Sequence, residues 1–205
     1  MADICWAPFK VARTVDFYFD FGSPNAYLAF TQLPLITKKY NTELIFHPIL
    51  LGGIFKATGN QPPGLISEKR LYMVRDIRRF AEKYGVEFNH NPYFPINTLS
   101  LMRGAVSYQK NGDFEKYTKV IFQSMWVDKK DTGNSEVLEN VFKENGLDYP
   151  SFLERILDGE TKKKLISNTS AAVERGVFGA PTMFVDGEMF FGQDRIDFIK
   201  GIVSS

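Results

Sequence analysis

Ser23 lies in Phe-Asp-Phe-Gly-Ser-Pro (residues 19–24), where an aromatic, β-branched run stops at Gly22 and Pro24 opens a helix. A hydroxyl at such a junction sits beside unpaired N–H groups and the positive end of the helix. A phosphate, carboxylate or thiolate placed there gains charge-assisted hydrogen bonds, and a thiolate would have its pKa lowered. The same serine also suits a purely structural task as an N-cap, and position alone leaves both readings open. Phe178-Gly179-Ala180-Pro181-Thr182 is the second candidate. A proline at the head of a strand, after Gly-Ala, favours a cis peptide in a tight turn. Such a turn leaves the Ala180 N–H and C=O unpaired for a peptide-like ligand, although a proline that only ends strand pairing fits too. The loop Thr58-Gly59-Asn60-Gln61-Pro62-Pro63-Gly64 could present the Asn60 amide to a cleft, with the Lys69 ammonium nearby, or simply turn in solvent. Asp194, which follows Gly192-Gln193, is placed to cap the last helix and is a fourth candidate.

Other chemistries are excluded by composition. Cys5 is the single cysteine of the 205 residues, so neither an internal disulfide nor a CxxC pair exists. It precedes the first strand and is expected to be dispensable. His47 and His90 lack metal-ligand spacing, and no metal site is expected. Lys+Arg 25 against Asp+Glu 24 gives a net charge of +1, too weak a field to hold a nucleic acid or an anionic membrane. Lys162-Lys163-Lys164 reads as a solvated helix face, and Trp126 with the many Phe residues reads as core. No stretch is apolar enough to span a bilayer, and no secretory, peroxisomal or prenylation signal is present. The expected location is the cytoplasm.

These candidates need elements to position them. Residues 15–21 read as a strand, 23–39 as a helix and 43–48 as a second strand, a βαβ unit. Residues 51–63 are rich in Gly and Pro and read as loop with a short helical piece. Helical periods follow at 68–84, from a Thr98 cap to 111, at 114–126, 135–145, 151–157 and 160–175. Asp186-Gly187 between two apolar runs signals a two-residue hairpin, and a last helix follows. The order is that of an α/β, thioredoxin-like fold with a mixed sheet and a large all-helical insertion. The thioredoxin-like part is expected at 14–54 and 176–205, and the helical insertion at 55–175.

Phe17-Tyr18-Phe19-Asp20-Phe21-Gly22-Ser23-Pro24-Asn25-Ala26-Tyr27-Leu28 resembles the opening strand and catalytic turn of 2-hydroxychromene-2-carboxylate isomerases and kappa-class glutathione transferases. The 58–65 loop with Lys69 and Leu71-Tyr72-Met73 resembles the kappa class. Residues 178–184 and Phe191-Gly192-Gln193-Asp194-Arg195 resemble motifs of both. The resemblance implies reduced glutathione as cofactor, a homodimer, and a small aromatic or conjugated acid as substrate. It implies that Ser23 hydrogen-bonds the glutathione sulfur, and that Ala180 and Pro181 pair with the cysteinyl backbone. Gln193 and Asp194 would hold the γ-glutamyl end, with Asn60 and Lys69 near the glycyl end. Asn60, Lys69 or Arg103 could serve charge developing on the substrate, and Arg103 also suits a structural salt bridge. Two other readings are a kappa-like transferase or peroxidase and a non-catalytic protein that binds peptides or thiols.

Overall fold

A computed structural model describes residues 13–205; Cys5 lies outside them. Strand β1 (Thr14–Phe19) leads to helix α1 (Pro24–Lys39) and to β2 (Glu43–Pro48), which pairs parallel to β1 from Thr14↔Glu43 to Phe19↔Pro48. Helices α2 (Leu51–Thr58), α3 (Ser67–Tyr84), α4 (Leu99–Asn111), α5 (Phe114–Trp126), α6 (Ser135–Glu144), α7 (Tyr149–Leu157) and α8 (Gly159–Glu174) follow before the chain returns to the sheet. Strands β3 (Thr182–Val185) and β4 (Glu188–Phe191) are antiparallel and precede α9 (Ile196–Ser204). The mixed sheet runs β2-β1-β3-β4. Asp186 (φ 50°) and Gly187 (φ 84°) both adopt the left-handed conformation that the expected two-residue hairpin turn requires.

Alternation along β1 sends Val15, Phe17 and Phe19 into a core continuous with α1, α4 and α5. The intervening Asp16 and Tyr18 meet His47 and Arg175. His47 Nε2 lies 2.7 Å from one Asp16 oxygen, and Arg175 donates to the other at 2.8 Å. His47 also stacks on Tyr18, so it belongs to the sheet's outer face.

The short helical piece expected within 51–63 is α2, ended by Gly59 at φ 74°. Two local expectations need correction. Thr98 precedes α4 without capping it, because its hydroxyl bonds to Asp20 instead. Asp194 does not cap α9: it lies in the 3₁₀ turn Gln193–Arg195 and pairs with Arg195, and among the described residues no side chain caps α9.

Trp126, fully buried at the end of α5, donates its indole N–H to Phe21 C=O at 2.8 Å. The helical block thereby holds the end of the β1–α1 connection. Trp126→Phe keeps an aromatic ring but strands that carbonyl, and should cost about 2–4 kcal/mol in urea unfolding. A loss under about 0.5 kcal/mol, the range of an ordinary surface change, would show that the bond does not hold the turn.

Candidate active site

The β1–α1 turn fixes the Ser23 side chain from both directions. Its Oγ accepts from Ala26 N–H at 3.1 Å and donates to Ala180 C=O at 2.8 Å, leaving the residue 5% exposed. In the first turn of α1, Pro24 has no N–H, Ala26 bonds to the Ser23 hydroxyl and Tyr27 bonds to Ser23 C=O at 3.1 Å. The Asn25 N–H therefore has no partner among the described residues. The structure joins both readings of Ser23: it is an N-cap, and it stands at a helix end with one donor still open.

Asp20, just before this turn, is 1% exposed. Its carboxylate accepts from Gly22 N–H at 2.9 Å, from Leu51 N–H at 2.8 Å and from Thr98. One buried group thus joins the turn, the start of α2 and the start of α4. Burial pushes its pKa up, and the three donors only partly oppose this. Sequence reasoning did not single out Asp20; the available signal was a lone carboxylate inside an aromatic run.

Ser23 opens onto a cavity of about 510 Å³ with apolar walls from Leu50, Phe55, Met73, Phe94, Ile96 and Phe191. A groove of about 570 Å³ continues from it past Pro181 to Lys69, Gln193, Asp194 and Arg195, and Asn25 lines both spaces. The Ala180–Pro181 bond is cis, as expected. The Ala180 C=O, expected to be unpaired, holds the Ser23 hydroxyl, while the Ala180 N–H has no partner among the described residues. Asn60 is at the cavity rim, where its Nδ2 donates to Phe178 C=O at 2.8 Å and its Oδ1 accepts from Gln61 N–H at 2.8 Å. Gln193 is 4% exposed, and its C=O accepts from the Tyr84 hydroxyl at 2.6 Å. Burial, aided by Asp197 and Asp194, pushes the Tyr84 pKa up to about 12, so this donor persists at neutral pH. Arg103 lines neither space and makes no ion pair among the described residues, contrary to the expected salt bridge.

The DSBA-like thioredoxin domain family matches residues 14–204. The chain belongs to that family. This DsbA-like chain carries Ser23-Pro24-Asn25-Ala26 at the turn, with no cysteine for dithiol exchange. It is 30% identical over 193 residues to a 2-hydroxychromene-2-carboxylate isomerase of Sphingobium xenophagum, covering 93% of this chain and 97% of that one. It is 29% identical over 209 residues to human glutathione S-transferase kappa 1, covering 93% and 91%. A solved 2-hydroxychromene-2-carboxylate isomerase superposes with a TM-score of 0.83 at 27% identity, over 92% of this chain and 93% of that one. The relatives' names are those of isomerases and transferases, both enzymes.

Because the folded-state pKa of Asp20 is raised, its contribution to stability is full below the unfolded value of about 4 and is lost as pH rises through the folded one. Asp20→Asn removes that titration and leaves an N–H facing an amide that donates, at a cost of about 1–3 kcal/mol. Urea unfolding between about pH 4 and 8 should show the wild type's advantage over Asp20→Asn shrinking as pH rises. An advantage constant across that range would contradict the raised pKa.

Proposed function

We propose that this chain is a glutathione-dependent isomerase of 2-hydroxychromene-2-carboxylate or a similar aromatic, conjugated 2-oxo acid. The observation that carries the reading is the Ser23 hydroxyl at the end of α1, facing an apolar cavity that continues into a polar groove. The named relatives support it.

The residues fit reduced glutathione. Ala180 offers an open N–H beside a C=O that the Ser23 hydroxyl can release, the pair an extended peptide needs. Lys69, Arg195 and Asp194 give the groove both signs of charge, matching a ligand with carboxylates and an ammonium. Glutathione bound there would supply a thiolate, a nucleophile able to add reversibly to a conjugated double bond. The Ser23 hydroxyl, which donates to Ala180 C=O, would be able to donate to that sulfur instead, with the Asn25 N–H as a second donor. Gln193 and Asp194 hold the γ-glutamyl end, with Tyr84 fixing the Gln193 backbone. Lys69 serves the glycyl end. Asn60, bonded to Phe178 and Gln61, shapes the rim. The apolar walls accept the aromatic part of the substrate and exclude water.

A kappa-like transferase, which consumes glutathione instead of returning it, is favoured by the 58–65 loop at the cavity rim, and product analysis separates the two. A cytoplasmic homodimer completes the reading. Leu65, Ile66 and Leu71 are exposed large hydrophobic side chains that a second copy would cover.

Millimolar reduced glutathione should raise the melting temperature by mass action. Ser23→Ala should cost about 1 kcal/mol of stability as a lost cap, yet lower turnover about 10²-fold. Ser23→Gly should lose only a few tenths of a kcal/mol and just as much turnover, since glycine caps without a hydroxyl. Full turnover in Ser23→Gly with an unshifted pH profile would reduce Ser23 to a cap.

A further inference from the structure

The cavity beside Ser23 has no Lys, Arg or His in its lining among the described residues. A substrate oxygen that gains negative charge there must be met by a neutral donor. Most polar side chains of the lining already have partners. Asp20 accepts from Gly22, Leu51 and Thr98, and Asn60 bonds to Phe178 and Gln61. Asn97, whose Oδ1 accepts from Leu99 N–H, and Gln61 are both exposed to solvent at the rim.

Asn25 differs from all of these. Among the described residues its side-chain amide has no hydrogen-bond partner, and its Oδ1 is enclosed by protein without a donor. With the oxygen enclosed, the Nδ2 end is the one available to the space that Asn25 lines, two residues from Ser23 and at the meeting of cavity and groove. A preorganised donor between apolar walls acts more strongly on developing charge than it would in bulk water.

We propose that Asn25 Nδ2 donates a hydrogen bond to the 2-oxo oxygen of the substrate and stabilises the negative charge that gathers there during isomerisation, an assignment that rests on the isomerase reading above. The 2-oxo group is that of the ring-opened substrate, formed when the hemiketal hydroxyl proton passes to the aryl oxygen. Addition of a thiolate to the conjugated carbon of that form would shift the C=C electron pair toward the carbonyl oxygen, and elimination of the thiolate would return the pair to the C=C bond. Addition and elimination themselves need no proton, oxidant or reductant. Asn25 is then a catalytic residue for the substrate, as Ser23 is for the sulfur.

The test compares the wild type with Asn25→Ala and Asn25→Asp in three measurements: glutathione binding, binding of 2-oxo-4-phenylbutanoate (a saturated analogue that cannot isomerise), and turnover of 2-hydroxychromene-2-carboxylate. Asn25→Ala keeps the backbone N–H and should leave glutathione binding within about twofold. It should weaken the analogue about fivefold and lower kcat about 10²-fold, because the donor matters most when the oxygen is charged. Asn25→Asp, an acceptor only, should be slower still at neutral pH. If the wild type turns over and Asn25→Ala keeps its rate within about twofold, the assignment is overturned and the isomerase reading stands. If Asn25→Asp is as fast as wild type while Asn25→Ala is slow, the amide accepts instead of donating, and the donor role is overturned. A wild type that binds glutathione without isomerising the substrate overturns both.

Discussion

The connection between β1 and α1 is buried, and its polar groups must be satisfied without water. Several of them find partners within the protein: Phe21 C=O takes the Trp126 indole, Gly22 N–H takes the Asp20 carboxylate, and Ser23 N–H takes Asp20 C=O at 3.0 Å. Phe21 N–H meets Met102 Sδ at 3.4 Å. Buried amides left unpaired would cost more than these bonds contribute individually, so the turn has little freedom to move. Ser23 inherits that rigidity, and its hydroxyl stands between Ala26 and Ala180 in a fixed place.

That rigidity has an electrostatic consequence. A helix end and a hydroxyl favour an anion at Ser23, whereas an ionised Asp20 close to it would oppose one. Burial raises the Asp20 pKa and thereby reduces the opposition. Among the described residues the cavity lining has no cation to offset either group; Lys69 and Arg195 stand in the groove. An anionic sulfur and a hydrophobic substrate could share such a space because the Ser23 oxygen is held in place and only its O–H bond must rotate to meet the sulfur.

What the sequence disclosed was mostly local. Residues 114–126 coincide with α5, and Asp186-Gly187 marks the β3–β4 turn, because helical period and turn chemistry are short-range signals. Ser23 was legible as a cap for the same reason. Its bond to Ala180 spans 157 positions, and no local pattern encodes it. Asp20 went unnoticed because its importance comes from Leu51 and Thr98, which the fold alone brings near. Thr98 and Asp194 both have the cap's residue type, yet each found a better partner, in Asp20 and Arg195. Asn25 was visible only as part of a motif, since a missing hydrogen bond leaves no trace in the sequence.

In the proposed reaction the α1 end and the Ser23 hydroxyl together stabilise a thiolate. Ultraviolet absorbance of the thiolate, followed against pH with glutathione saturating the wild-type protein, measures this directly. A cysteine-type thiol free in water ionises near about 8.5. Stabilisation by the turn predicts a midpoint at least about one unit lower for the bound thiol, the size of effect that a helix end and a charge-assisted bond produce. A midpoint at or above that of free glutathione would contradict it.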